Sequence, residues 1–306
     1  MKNNNWKKLG LIYRPEGKLL WNKTHGALPV AINLREDIYR ILFATRNDDN
    51  ISSIASVDLD INNPQEIIKE SKKPLIISGP QGFFDDRGAL PSCIVKIKND
   101  LYLYYSGWNS GKTDPIFYPS IGLAISKDNG NTFKKYSDAP IMSRGEFDPC
   151  FSVSPFVIKE GKCWKMWYVS CFKWEKRIDK WQSLYHIKYA ESKDGICWRP
   201  TGKICIPLKK GETNIARPCV VKDNGLYKMW YSYEKGKGYR IGYAESKDGL
   251  NWIRKDDSIK IDLSQKGWDC QMMAYPYVIK HKNNFYMFYN GNNYGEDGFG
   301  IAKLVI

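Results

Sequence analysis

Five short segments hold the residues whose types and spacing could do chemistry, and each ends at a proline. They are NKTHGALP (22–29), with His25; GFFDDRGALP (82–91), with Asp85, Asp86 and Arg87; RGEFDPCFSVSP (144–155), with Glu146 and Asp148; GETNIARP (211–218), with Glu212, Asn214 and Arg217; and WDCQMMAYP (268–276), with Asp269, Gln271 and Tyr275. Carboxylates brought together from separate segments can cleave a glycosidic bond. One protonates the leaving oxygen, and another serves as base or nucleophile. Confinement can hold their pKa values apart, so that both roles coexist near neutrality. On this reading Asp86 is the base or nucleophile, Glu212 the proton donor and Asp148 the orienting carboxylate. His25, Arg87, Arg217, Asp269 and Tyr275 would hold the substrate. Trp108 follows a glycine in a strand-end loop and supplies a stacking wall. Each assignment has a plainer rival. Asp86, Asp148 and Asp269 could bond the backbone of the turn that enters a strand. His25 could be a satisfied structural histidine.

The elements that must position these residues are repeats. An aromatic strand motif occurs five times: YRILFAT (39–45), LYLYYSGW (101–108), WKMWYVS (164–170), YKMWYSY (227–233) and FYMFYNG (285–291). Its corresponding aromatics, Phe43, Tyr105, Tyr168, Tyr231 and Tyr289, stand 62, 63, 63 and 58 residues apart. A proline-opened apolar strand precedes each copy, and a strand of the type I-G-x-A-x-S follows it. Short alternating runs separated by Asn, Asp, Gly and Lys are the pattern of successive antiparallel strands. Fixed-period repetition of four strands predicts an all-β, five-bladed β-propeller over residues 1–306 as one domain. The last repeat ends at its third strand. The spare N-terminal KKLGLIYRP is therefore expected to supply its outer strand and close the ring, hiding exposed edges. NPQEIIKESKK (63–73) reads as one short helical turn at most.

SKDNGNTF (126–133), SKDGICW (192–198) and SKDGLNW (246–252) join third strands to fourth. Ser and Asp bond local backbone there, and Gly takes a left-handed position. These are turns rather than catalytic groups. In a propeller the innermost strands line a central channel, so departures from the repeat at the start of the first strands locate the site.

The formal charge of +14 is spread along the chain rather than gathered in a basic block. It favours anionic ligands, such as phosphorylated, nucleotide-linked or acidic sugars. No nucleic-acid recognition motif accompanies it. The eight cysteines include no C-x-x-C pair, so neither zinc nor another cofactor is expected. With no apolar leader or membrane-length run, the chain reads as cytoplasmic, free of a membrane, and acting on a small-molecule sugar or anionic sugar derivative. The hairpin segment CFKWEKRIDKWQSLYH (171–186), with Trp174 and Trp181, reads as a lid or partner surface.

The repeated Y-x-M-W-Y…I-G-x-A-x-S-K-D-G-x-x-W unit resembles the blades of the five-bladed glycosidase superfamily, which includes glycoside hydrolase families 43, 32, 68 and 130. The resemblance covers nearly the whole chain and is specific for fold. It implies three carboxylates on different inner strands, and one of them has a counterpart by position here, Asp148. Where family 43 places its base before the first-blade proline, this chain has Leu28. Where the family's acid stands two residues before the fourth-blade proline, it has Ala216. Two expectations follow. One is a divergent enzyme of hydrolase or phosphorylase type, the latter using Arg87 and Arg217. The other is a sugar- or partner-binding propeller that has lost the hydrolase carboxylates. A sialidase-like reading, drawn from the turn motif, lacks a clear arginine triad.

Overall fold

Proline interrupts a β-ladder because it has no amide to donate. This chain uses that property five times. Each first strand carries a bulge at its proline, with register shifts between Ala27 and Val30, Pro91 and Cys93, Val153 and Phe156, Ala216 and Cys219, and Ala274 and Tyr277. A bulge bends a strand and re-aims a side chain. At four of the five, the residue before proline has a positive φ: Leu28 at 57°, Ser154 at 51°, Arg217 at 54° and Tyr275 at 57°. Non-glycine residues are strained in that conformation, and such strain gathers at functional sites.

The computed structural model describes residues 4–113, 116–178, 180–236 and 238–305. Over those residues it is all-β, with two short 3-10 turns and four sheets. Repeat 1 forms one sheet from Thr24–Arg35, Ile38–Arg46, Ser52–Asp60 and Asn63–Glu70; repeat 2 forms another from Ala89–Ile97, Asp100–Ser110, Phe117–Ser126 and Lys134–Lys135. Repeats 3 (Phe151–Glu160, Cys163–Lys176, Trp181–Ser192, Trp198–Ile206) and 4 (Asn214–Asp223, Leu226–Glu234, Tyr239–Ser246, Ile253–Arg254) share an eight-stranded sheet. The two are joined by one parallel pair, Tyr185 with Asn214. In repeat 5 the strands Ala274–His281, Asn284–Asn290 and Phe299–Val305 are completed by the N-terminal Asn4–Tyr13, antiparallel to the last of them. Closure is tight: a Cβ at Gly298, whose φ is 98°, would lie 1.7 Å from the Tyr13 carbonyl oxygen. Residues 63–70 form a strand rather than a helical turn, because Leu59 and Val57 pair with Ile67 and Glu70.

The core lies between sheets, where Phe43, Tyr105, Tyr168, Tyr231 and Tyr289 are fully buried. A buried hydroxyl needs an acceptor. Tyr105 donates to Asp85 (3.1 Å), Tyr168 to Asp148 (3.0 Å), Tyr289 to Asp269 (3.0 Å) and Tyr231 to Asp256 (2.5 Å). Burial first, then the neighbouring carboxylate, raises each of these tyrosines far above its usual pKa.

The S-x-D turns behave as their chemistry requires. In two of them the Ser Oγ accepts from the Gly amide while the Asp carboxylate accepts two further amides (Ser192, Asp194 and Gly195; Ser246, Asp248 and Gly249). The copy at Ser126 and Asp128 uses Gly130 and Thr132 in the same way. Among the described residues, no helix is long and apolar enough to cross a membrane, and no group of three or more His, Cys, Asp or Glu could hold a metal.

Candidate functional site

An antiparallel second strand ends at the rim where the first strand begins. Both ends therefore deliver side chains to one place. A cavity of about 310 Å³ lies there, and every repeat contributes to it: Leu28 and Arg46, Leu90 and Trp108, Phe151 and Val169, Ala216, and Tyr275. Four of the five residues that precede the strand prolines line it, namely Leu28, Leu90, Ser154 and Tyr275.

Its wall is aromatic. Phe117 and Phe151 stack at 5.4 Å, and Trp174 packs edge-on against Phe117 at 5.6 Å. Opposite them, Tyr275 stacks with Tyr294 at 6.4 Å and Tyr239 lies 5.8 Å from Tyr275; the Tyr185 and Tyr239 hydroxyls bond each other. Burial raises the pKa of all four tyrosines, which keeps them protonated. Two buried polar atoms beside the cavity, Trp174 Nε1 and Asn214 Oδ1, have no protein partner.

The residues expected to do the chemistry are distributed differently. Trp108 and Tyr275 line the cavity. His25 is half-buried, with Nδ1 2.8 Å from Thr24 Oγ1; burial and then the Arg46 charge lower its pKa to about 4, so it is neutral at pH 7. None of the four candidate carboxylates is part of the lining.

Asp86 accepts from the Gly82 amide (3.0 Å) and from Asn109 (2.8 Å), the turn chemistry weighed against catalysis. Asp148 is fully buried, holding Tyr168 and lying 3.6 Å from Lys188; Asp269 likewise holds Tyr289 and pairs with Lys8 at 2.7 Å. Glu212 is clamped by Arg254 through two bonds of 2.8 Å. Asp148, Asp269 and Asp85 thus fill one repeated structural position, and Glu212 belongs to an ion-pair network with Arg254, Asp256 and Lys209.

Arg87 donates to the Asp49 carbonyl (2.8 Å). Arg217, 1% exposed, reaches across from repeat 4 to the Pro91, Leu28 and Pro29 carbonyls at 2.6–3.3 Å. Burial holds its pKa down to about 10. It staples three repeats together: Nη1 and Nη2 are taken by backbone carbonyls, while the buried Nε has no partner among the described residues.

Two other charged groups bear on the cavity, Arg46 in its lining and Glu234 outside it. Glu234, bonded by Asn214 Nδ2 at 2.7 Å, projects its charge onto Tyr185, Tyr239, Tyr275 and Tyr294. Both stand at the ends of second strands, in FATR and YSYE. The first-strand starts alone do not contain them. Larger clefts of about 560 and 630 Å³ lie outside, lined by outer strands and S-x-D turns.

No family model matches the chain. Two proteins of Mycobacterium tuberculosis, uncharacterized proteins MT1551 and Rv1502, are 40% and 39% identical to it over 301 residues, covering 98% of this chain and 99% of each relative. Among solved structures, BT0996, in a complex with RGII, gives a TM-score of 0.76 at 18% identity and covers 98% of this chain and 92% of its own. A thermostable family-43 glycoside hydrolase gives 0.67 at 18% identity, covering 96% and 93%. A Bombyx mori family-32 β-fructofuranosidase gives 0.64 at 16% identity, covering 97% and 62%. The neighbours are therefore five-bladed β-propeller glycoside hydrolases of the family 43 and 32 type, and the low identity marks this chain as a divergent member of that fold.

Proposed function

This chain belongs to the family of the two mycobacterial proteins, and from that premise we propose that it binds a small sugar in the central cavity without the paired carboxylates of a glycosidase. Its five repeats are read as the five blades of one domain spanning 1–306. The observation that carries the proposal is the cavity lining, in which Trp108, Phe117, Phe151, Tyr185, Tyr275 and Tyr294 converge and no carboxylate appears. Aromatic faces suit the apolar faces of a sugar ring, and neutral phenols donate to its hydroxyls. A volume of about 310 Å³ is at the low end of ligand pockets, roughly 300–1,000 Å³, which favours one or two rings over a polymer. Calorimetric titration with a monosaccharide and disaccharide panel tests this. Trp108→Ala and Tyr275→Ala should each weaken the best binder about tenfold or more at unchanged fold. Unaltered affinity in both would place the ligand elsewhere.

A second reading has one supporting observation, the position of Glu234 beside the tyrosines. A single acid at the rim could protonate a leaving oxygen if water or phosphate supplied the nucleophile. Turnover of sugar phosphates that disappears in Glu234→Gln with binding retained would establish it.

A further inference from the structure

We propose that the ligand of the central cavity is an acidic sugar whose anionic group, a carboxylate or a phosphate, is taken by Arg46. This rests on the sugar-binding reading above and specifies its ligand class. The chain's buried cations are, in general, matched. Arg40 holds Asp58 through two bonds of 2.7 and 2.8 Å, Arg254 holds Glu212, and Lys8, Lys135 and Lys188 face Asp269, Asp85 and Asp148. Arg217 lacks a carboxylate, but its Nη1 and Nη2 donate to three carbonyls.

Arg46 differs from all of these. It is half-buried, its Nη1 donates to Asn50 Oδ1 at 2.9 Å, and it makes no ion pair among the described residues. It is also the one charged side chain among the described residues of the cavity lining. Burial is the largest influence on its pKa and lowers it, while Tyr275 and Glu296 act in the opposite direction. An arginine fork matches a carboxylate or phosphate in a bidentate manner.

The surroundings offer hydrogen-bond donors to an anion, set against the negative charge that Glu234 projects onto Tyr275 and Tyr294. Tyr275 and Tyr294 stand in the lining with hydroxyls that make no hydrogen bond among the described residues, and both are held protonated, so they donate. His25 beside Arg46 is neutral at pH 7 and supplies a further polar edge. Arg217, bonded to the carbonyls of Leu28, Pro29 and Pro91, adds positive potential, and the net charge of +14 draws anions to the protein as a whole.

The test uses the full chain and six probes: glucose, glucuronate and glucose 6-phosphate, with galactose, galacturonate and galactose 6-phosphate. Affinities are measured by calorimetry at low and high salt. At least one acid should bind about tenfold or more tighter than its neutral parent. Arg46→Met should weaken that acid by the whole of its preference, about tenfold or more, to the neutral level, and Arg46→Lys should keep part of the preference. A preference for uronates identifies a carboxylate, and one for the 6-phosphates a phosphate. The wild-type comparison of acid with neutral parent stands even if a variant fails to fold. Equal binding of acids and neutral parents, or an acid preference that survives Arg46→Met, overturns this inference and leaves sugar binding intact. No binding of any of the six overturns both.

Discussion

Neutralising Asp148 should weaken the fold and leave ligand binding alone. Its carboxylate is fully buried, accepts the Tyr168 hydroxyl at 3.0 Å, and faces at 3.6 Å the largely buried Lys188 ammonium, which also donates to the Phe147 carbonyl. At that distance the attraction is roughly 4–5 kcal/mol for an effective dielectric constant of about 20. Much of it is offset by desolvation, but removing one partner leaves the other charge buried and uncompensated, a loss of about 3–5 kcal/mol. Asp148→Asn keeps an oxygen for Tyr168 and should cost about 3 kcal/mol in guanidinium unfolding at an unchanged m-value. Lys188→Met in the same chain should restore most of this, because a neutral pair no longer strands a charge. A double-mutant cycle should therefore give a coupling of about 2 kcal/mol or more. If Asp148→Asn unfolds like the wild type while sugar binding or turnover collapses, the scaffold role is wrong, and Asp148 returns as a functional carboxylate.

Other outcomes follow from the same geometry. His186 and His25 are both held neutral, with pKa values near 4 against an ordinary 6.5, chiefly by burial. Between those values the unfolded chain binds more protons than the folded one, so stability should fall as pH drops from about 6.5 to 4. The loss is at most about 3 kcal/mol for His186 and less for the more exposed His25; pH-dependent chemical unfolding reads it, and a flat profile over that window contradicts it. Glu160 extends the acid loss. Burial pushes its carboxyl up, but Lys165, Lys222 and Tyr227 pull it down to about 2, so its contribution disappears between about 4.5 and 2. Gly298→Ala drives a methyl into the Tyr13 carbonyl and should cost more than about 3 kcal/mol through loss of the N-terminal strand, seen as deprotection of residues 5–13 in hydrogen exchange.

The architecture was legible because the repeat states it five times. Strand order, turn chemistry and the closing role of the N-terminal strand all follow from the aligned motifs. The helical reading of residues 63–73 fell to pairing with the neighbouring strand, which outweighs local propensity. The site was only half legible. The sequence pattern points to Asp86 as an ionisable group at the rim, yet the neighbouring Asp85 is the buried one. A spacing signal was available: Asp85, Asp148 and Asp269 each stand 20 residues before the tyrosine they hold. Where repeat 1 has Phe43 and no hydroxyl to satisfy, Lys23 occupies the corresponding place. In repeat 4 the place is Gly211, and Tyr231 is held by Asp256 instead; in repeats 2, 3 and 5 the pairing supports a scaffold role for the carboxylates. Arg46 and Glu234 lie outside the first-strand starts, because the rim is shared with the ends of second strands.

Whether the ligand sits in the aromatic cavity or among the buried carboxylates can be seen in a crystal of the protein soaked with the tightest-binding of the six sugars. The ring should lie against Trp108, Tyr275 and Tyr294, with its acidic group within hydrogen-bond reach of Arg46. A sugar bound at Asp86 or Glu212, or in the outer clefts with the cavity empty, would show that the cavity is not the site.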